Sequence, residues 1–157
     1  MIDPVIKEIT VPLSPDRAFK LFTEEMADWW PLDKHSMSAG DGETAKTVTV
    51  PKDVGAQVLE EKPDGTTTPW GRVTEYDPGK SFGMTWHVGR PEEDSTHVRV
   101  TFEAVADGTK VLLVHDNWQA LSVDAVAMQN RYLLGWDYVF VKCFGEKTVR
   151  LSVPAHA

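Results

Sequence analysis

Chemistry in this chain would have to come from five histidines, one cysteine, two strand carboxylates and six tryptophans. The histidines are His35, His87, His97, His115 and His156, and none stands in an H-x-H or H-E-x-x-H arrangement. A metal site needs three or four converging ligands, so no metal and no cofactor is expected. Cys143 falls among apolar helix residues and reads as an inert core thiol, because apolar surroundings raise a thiol pKa. There is no G-x-S-x-G, phosphate loop or dinucleotide fingerprint, and no catalytic residue is assigned. His115 ends an apolar strand face formed with Val111 and Leu113. It is a core histidine bonded to a backbone carbonyl, a polar anchor for a ligand, or a general base. His115 and Asp116 do not form a dyad, because adjacent strand residues point to opposite faces. Glu60 and Glu75 are expected to be exposed or paired with Arg72 or Arg99. A buried glutamate with a raised pKa would instead be an acid–base candidate.

The aromatic residues point to binding. Large rings beside a few polar groups are typical of small-molecule pockets. The candidate ligand-binding residues are Trp30, His35, Trp70, Met84, Trp86, His115, Trp118, Met128, Tyr132 and Trp136. Trp136 is expected to be buried between the last helix and the sheet.

The elements that must position them follow from local pattern. Val5 to Val11 alternates as a strand. Ser14-Pro15-Asp16 supplies an N-cap, a proline suited to the first helical turn and an acidic residue that favours the helix dipole. The helix it opens carries Phe19, Phe22 and Met26 on one face and is expected to end near Trp29-Trp30-Pro31. Residues 31–46 show no clear periodicity and read as a long loop that borders or gates a cavity. Strands are expected near 47–50, 54–62, 68–76, 80–88, 96–105 and 109–117. The turns Pro63-Asp64-Gly65, Asp77-Pro78-Gly79 and Asp107-Gly108 and an acidic loop at 90–95 join four of these strand pairs as an antiparallel meander. On these strands Phe82, Met84 and Trp86 share the inner face, as do Val98, Val100 and Phe102. From about Val123 to Val149 the period becomes helical, with Leu133, Trp136, Phe140, Cys143 and Phe144 on one face. A helix of ~25 residues is ~38 Å long, enough to cross a sheet. Gly135 costs such a helix roughly 1 kcal/mol, and close approach to the sheet beside Trp136 is the expected compensation.

This order resembles the helix-grip fold of the START-like (SRPBCC) superfamily: α+β, with a curved antiparallel sheet of six or seven strands around a long C-terminal helix and short helices after strand 1. Local text resembles the branch related to the C-terminal domain of the activator of the heat-shock-protein-90 ATPase. Gly71-Arg72-Val73-Thr74-Glu75-Tyr76-Asp77-Pro78 leads into Thr85-Trp86. Val98-Arg99-Val100-Thr101-Phe102, then Thr109 to His115, then Gly135-Trp136, follow in the matching order. The glycine pair that commonly opens the third strand is reduced to Gly55. The resemblance covers roughly residues 5–150 and implies one START-like domain over 1–157 with a cavity between sheet and helix. The superfamily includes lipid carriers, hormone receptors and polyketide-type aromatase/cyclases, so the resemblance implies a fold and not one activity.

Charge and length narrow the rest. The 157 residues suffice for one real core. With a net charge of −8 and scattered Lys and Arg, nucleic acid and anionic membrane surfaces are not expected partners. MIDPVIKEITV lacks a basic stretch followed by an apolar one, and a cytoplasmic location is expected. The leading reading is a protein that holds a small hydrophobic or aromatic molecule between sheet and helix. One alternative is a cyclase- or hydrolase-type enzyme in the same cavity, with His115, His35 or a buried glutamate as acid–base group. Another is a chaperone-associated or regulatory interaction protein. A protein partner and a homodimer both stay open.

Overall fold

A computed structural model describes residues 2–121 and 124–152; Val123 and His156 lie outside the described residues. The chain runs β1 (Val5–Val11), α1 (Pro15–Phe22), α2 (Met37–Gly40), β2 (Thr47–Thr49), β3 (Gln57–Glu61), β4 (Thr67–Asp77), β5 (Ser81–Trp86), β6 (Thr96–Val105) and β7 (Gly108–Asp116). A helical stretch closes it: α3 (Ala125–Trp136), a wider π-type segment (Asp137–Phe144) and α4 (Gly145–Ser152).

The seven strands form one antiparallel sheet in the order β1-β7-β6-β5-β4-β3-β2. Strands β2 to β7 are a meander, and β1 closes on the far edge, pairing Val5 with His115. Register shifts at Val58/Leu59 and Val73/Glu75 interrupt the ladder, and such bulges increase local twist and bend the sheet. At Gly71 strands β4 and β5 come close enough that a Cβ would collide with the Thr85 carbonyl. This is the helix-grip architecture, a curled seven-stranded half-barrel against a long terminal helix.

Two expected elements differ. Helix α1 does begin at the Ser14 cap, whose hydroxyl accepts from Arg17 N at 3.2 Å, but it ends at Phe22 rather than near Trp30. The Thr23 hydroxyl donates to the Phe19 carbonyl at 2.8 Å. Glu24 and Glu25 follow, and acidic residues are unfavourable at a helix C-terminus. The stretch 31–46 is not an unstructured loop, because it contains α2 and is tied down as described below.

The last helix keeps Trp136, Phe140 and Phe144 of the expected stripe buried but not Leu133. Leu133 is 39% exposed, while Tyr132 packs inward and Trp136, Phe140, Phe144 and Thr148 are buried. With Met128, these residues form an unbroken four-residue repeat. An α-helix advances four residues about 40° past a full turn, so such a line would drift. Widening to i→i+5 bonding from Asp137 to Phe144 reduces the drift and keeps Trp136, Phe140 and Phe144 in line. Phe140 and Phe144 stack with their centroids 5.7 Å apart. The core they enter includes Phe19, Phe22, Phe82, Met84, Val100, Phe102, Val111 and Leu113, so the inward parity of β5, β6 and β7 holds.

Candidate functional site

A cavity of about 190 Å³ opens between the sheet, the start of the 31–46 segment and the terminal helix. Strands β4 and β5 supply Trp70 and Trp86, and the chain just beyond β5 supplies Val88. Trp30, Lys34, His35 and Ser36 come from the segment after α1, and Tyr132, Gly135, Trp136 and Val139 come from the helix.

Four indoles form its wall. Trp30 lies 5.0 Å from Trp70, 5.9 Å from Trp86 and 5.8 Å from Trp136, centroid to centroid. Trp86 lies 5.5 Å from Trp136 and 5.7 Å from Trp70. Every indole N–H of this wall is already used. Trp30 donates to the His35 carbonyl at 2.6 Å and Trp70 to Glu60 Oε1 at 3.0 Å. Trp86 donates to the Tyr132 hydroxyl at 2.9 Å and Trp136 to His115 Nδ1 at 3.0 Å. The rings therefore cannot rotate freely without breaking a hydrogen bond, and they offer a guest carbon and π surface rather than donors.

Six of the expected residues, Trp30, His35, Trp70, Trp86, Tyr132 and Trp136, meet on this cavity. Four do not. Met84 is buried in the core, directed toward Gly71. Met128 is half-buried a turn before Tyr132, outside the cavity wall. His115 is fully buried behind Trp136: its Nδ1 accepts from that indole and its Nε2 meets Thr96 Oγ1 at 2.7 Å. Trp118 covers the other side of His115, ring centroids 4.2 Å apart, and donates to its carbonyl at 3.0 Å. Inward parity was correct for His115, but both ring nitrogens are spent on side chains, neither on a carbonyl nor on a ligand. Burial drives its pKa well below 6.5, with Arg90 and His97 adding to the effect.

Glu60 corrects another expectation. It is fully buried with no cation paired to it among the described residues, yet accepts from Met37 N at 2.8 Å, Ser38 N at 2.9 Å, Ser38 Oγ at 2.6 Å and Trp70 Nε1 at 3.0 Å. Burial alone would raise its pKa, but these bonds outweigh burial and hold the carboxyl below 4.5. It is a clamp that fixes both Trp70 and the 31–46 segment. Glu75 pairs with Arg99 at 2.9 Å as expected, whereas Arg72 turns to Glu92.

Lys34, Ser36, Val88, Gly135 and Val139 were missed. Val139 could have been found, three residues after Trp136. Gly135 was read the wrong way: no atom lies within 4 Å of where its Cβ would be, so it is a space in the wall rather than a close contact. The mouth carries Lys34, whose ammonium donates to the Tyr138 hydroxyl at 3.4 Å, and His35, whose ring lies 5.5 Å from that of Tyr138. Burial lowers the His35 pKa, partly countered by Asp33. Among the described residues no cluster of three or more His, Cys, Asp or Glu is placed to hold a metal ion. No helix among them is long and apolar enough to cross a membrane.

Comparison with known proteins agrees with the fold. An AHSA1-like protein from Aeromonas hydrophila superposes with TM-score 0.65 at 15% identity, covering 98% of this chain and 97% of its own. Protein MLL2253 from Mesorhizobium loti gives TM-score 0.65 at 14% identity, covering 96% and 99%. The anthrahydroquino-gamma-pyrone synthase Txn09 gives TM-score 0.57 at 27% identity, covering 84% of this chain and 87% of its own. No curated protein matches in sequence. The family model that matches, over residues 12–140, is the activator of Hsp90 ATPase homolog 1-like protein, and the chain belongs to that family.

Proposed function

We propose that this protein binds a small aromatic molecule of one or two rings in the cage formed by Trp30, Trp70, Trp86 and Trp136. One observation carries the reading: four indoles line a cavity and every one of their N–H groups is already paired inside the protein. Such walls favour flat, polarisable guests, which meet them edge-to-face or offset-stacked. Size sets the limit. An apolar cavity of about 150 Å³ takes benzene, so about 190 Å³ suits one or two rings and not a long polycycle. Txn09 is an anthrahydroquino-gamma-pyrone synthase, and its aromatic chemistry on a similar fold supports an aromatic occupant here.

Titration with naphthalene and indole, followed by indole N–H resonances, tests the reading. Saturable shifts at Trp30, Trp70, Trp86 and Trp136, with Trp29 and Trp118 unmoved, are expected. If neither probe moves a cage indole at its solubility limit, the reading fails.

A further inference from the structure

We infer that the occupant of the cage is an aromatic acid, a ring carrying a carboxylate or phenolate oxygen, held by the Tyr132 hydroxyl within and by the charge of Lys34 at the mouth. The inference rests on the cage being a binding site and adds the polarity of its guest.

Two independent observations meet here. The first is an unused donor. Tyr132 accepts from Trp86 Nε1 at 2.9 Å, and among the described residues nothing accepts its own hydroxyl hydrogen. Tyr132 is half-buried and lines the cavity. The bond it accepts polarises the O–H and makes it a better donor. A ligand oxygen is the partner it lacks.

The second is charge. The chain holds 24 acidic residues against 16 lysines and arginines, yet among the described residues the one Lys, Arg, Asp or Glu lining the cavity is Lys34. The Tyr138 hydroxyl beside it raises the Lys34 pKa, with Asp33 adding to the effect. Lys142 also sits 5.5 Å from the Tyr138 ring centroid, against 5.4 Å for Lys34, but it does not line the cavity. Asp33 is the acid that acts on Lys34 and His35, and it does not line the cavity. A cage of aromatic faces alone would also suit a cation. Here a cation would meet Lys34 and leave the Tyr132 hydrogen unpaired. An anionic guest would accept from Tyr132 and meet the positive charge of Lys34, and charge-assisted hydrogen bonds are about twice as strong as neutral ones.

The test compares one ring system in three charge states: naphthalene, 2-naphthoate and 2-naphthylmethylammonium, each titrated by indole resonances and calorimetry. The expected order places 2-naphthoate about tenfold tighter than naphthalene, and the ammonium weakest. Lys34→Met and Tyr132→Phe should each bring the naphthoate-to-naphthalene ratio toward one, and the preference should weaken with salt in the wild type. If naphthalene binds but naphthoate is not preferred, the inference falls and the cage reading stands. If the preference survives both variants, the assignment to Tyr132 and Lys34 is wrong. If no probe binds, the cage reading fails and this inference with it.

Discussion

His115 shows how far one residue can be read and where reading stops. Alternation along β7 placed it inward at the end of an apolar face, and it is indeed fully buried. Its partners were not legible, because Trp136 comes from a helix 21 residues away and Thr96 from a neighbouring strand. Those partners settle its protonation. The Trp136 indole can only donate, so Nδ1 must be a lone pair and Nε2 carries the proton toward Thr96. Thr96 in turn donates to the Trp86 carbonyl at 3.2 Å. A second proton on Nδ1 would face the indole N–H. The folded pKa is thus depressed, and below about pH 6.5 the unfolded chain binds a proton that the native state refuses. Stability from this residue is complete above that pH and falls as pH drops below it. Denaturant melts should show stability declining between about pH 6.5 and 5, with a shallower slope in His115→Phe than in wild type. Equal slopes would show that His115 titrates normally in the fold. Trp136→Ala removes both the donor and a buried ring and should cost about 3–5 kcal/mol; a measured loss under about 1 kcal/mol would mean that the helix does not grip the sheet there.

At the level of elements, local signals were read well and long-range ones were not. Turns such as Asp77-Pro78-Gly79 are written in adjacent residues, with Gly79 at φ 78° and Lys80 N bonded to the Asp77 carbonyl at 2.9 Å, so the meander was legible. Within the helix stripe Leu133 was misplaced because a 3.6-residue period selects it, whereas the four-residue repeat through Tyr132 needs the wider turns that only packing against the sheet enforces. The 31–46 segment looked featureless because its organiser, Glu60, sits on another strand. Ordering that segment depends on one carboxylate that accepts four bonds, two of them from the backbone of the first residues of α2. Glu60→Gln turns one acceptor into a donor facing donors and should cost about 1–3 kcal/mol. Amide exchange at Met37 and Ser38 should speed up in that variant while β6 and β7 stay protected. Unchanged exchange would mean that the segment is held by something else. Acid acts on the same clamp: the folded pKa is lowered, so its contribution is present above about pH 4.5 and is lost as pH falls through the folded value.

On the scale of the molecule, the cavity exists because two layers close over a space that neither fills. The sheet brings Trp70 and Trp86, the helix brings Tyr132 and Trp136, and two side-chain bonds, Trp86 to Tyr132 and Trp136 to His115, lock the layers together. A sequence pattern can assign each residue to a face, but not the gap between faces. Gly135 sits at that gap, with nothing within 4 Å of its missing Cβ. Two substitutions there separate stability from binding. Gly135→Ala should stabilise the helix by up to about 1 kcal/mol, because a better helix former meets no clash. Gly135→Leu keeps that gain in propensity but places a branched side chain on the cavity wall. A guest that binds only the native state stabilises it by RT ln(1 + [L]/Kd), about 2.7 kcal/mol at a hundredfold excess over Kd. Wild type and Gly135→Ala should therefore both melt later with 2-naphthoate or naphthalene present, whereas Gly135→Leu should fold and melt cooperatively yet show no ligand-dependent shift. A shift preserved in Gly135→Leu would place the guest somewhere other than the tryptophan cage.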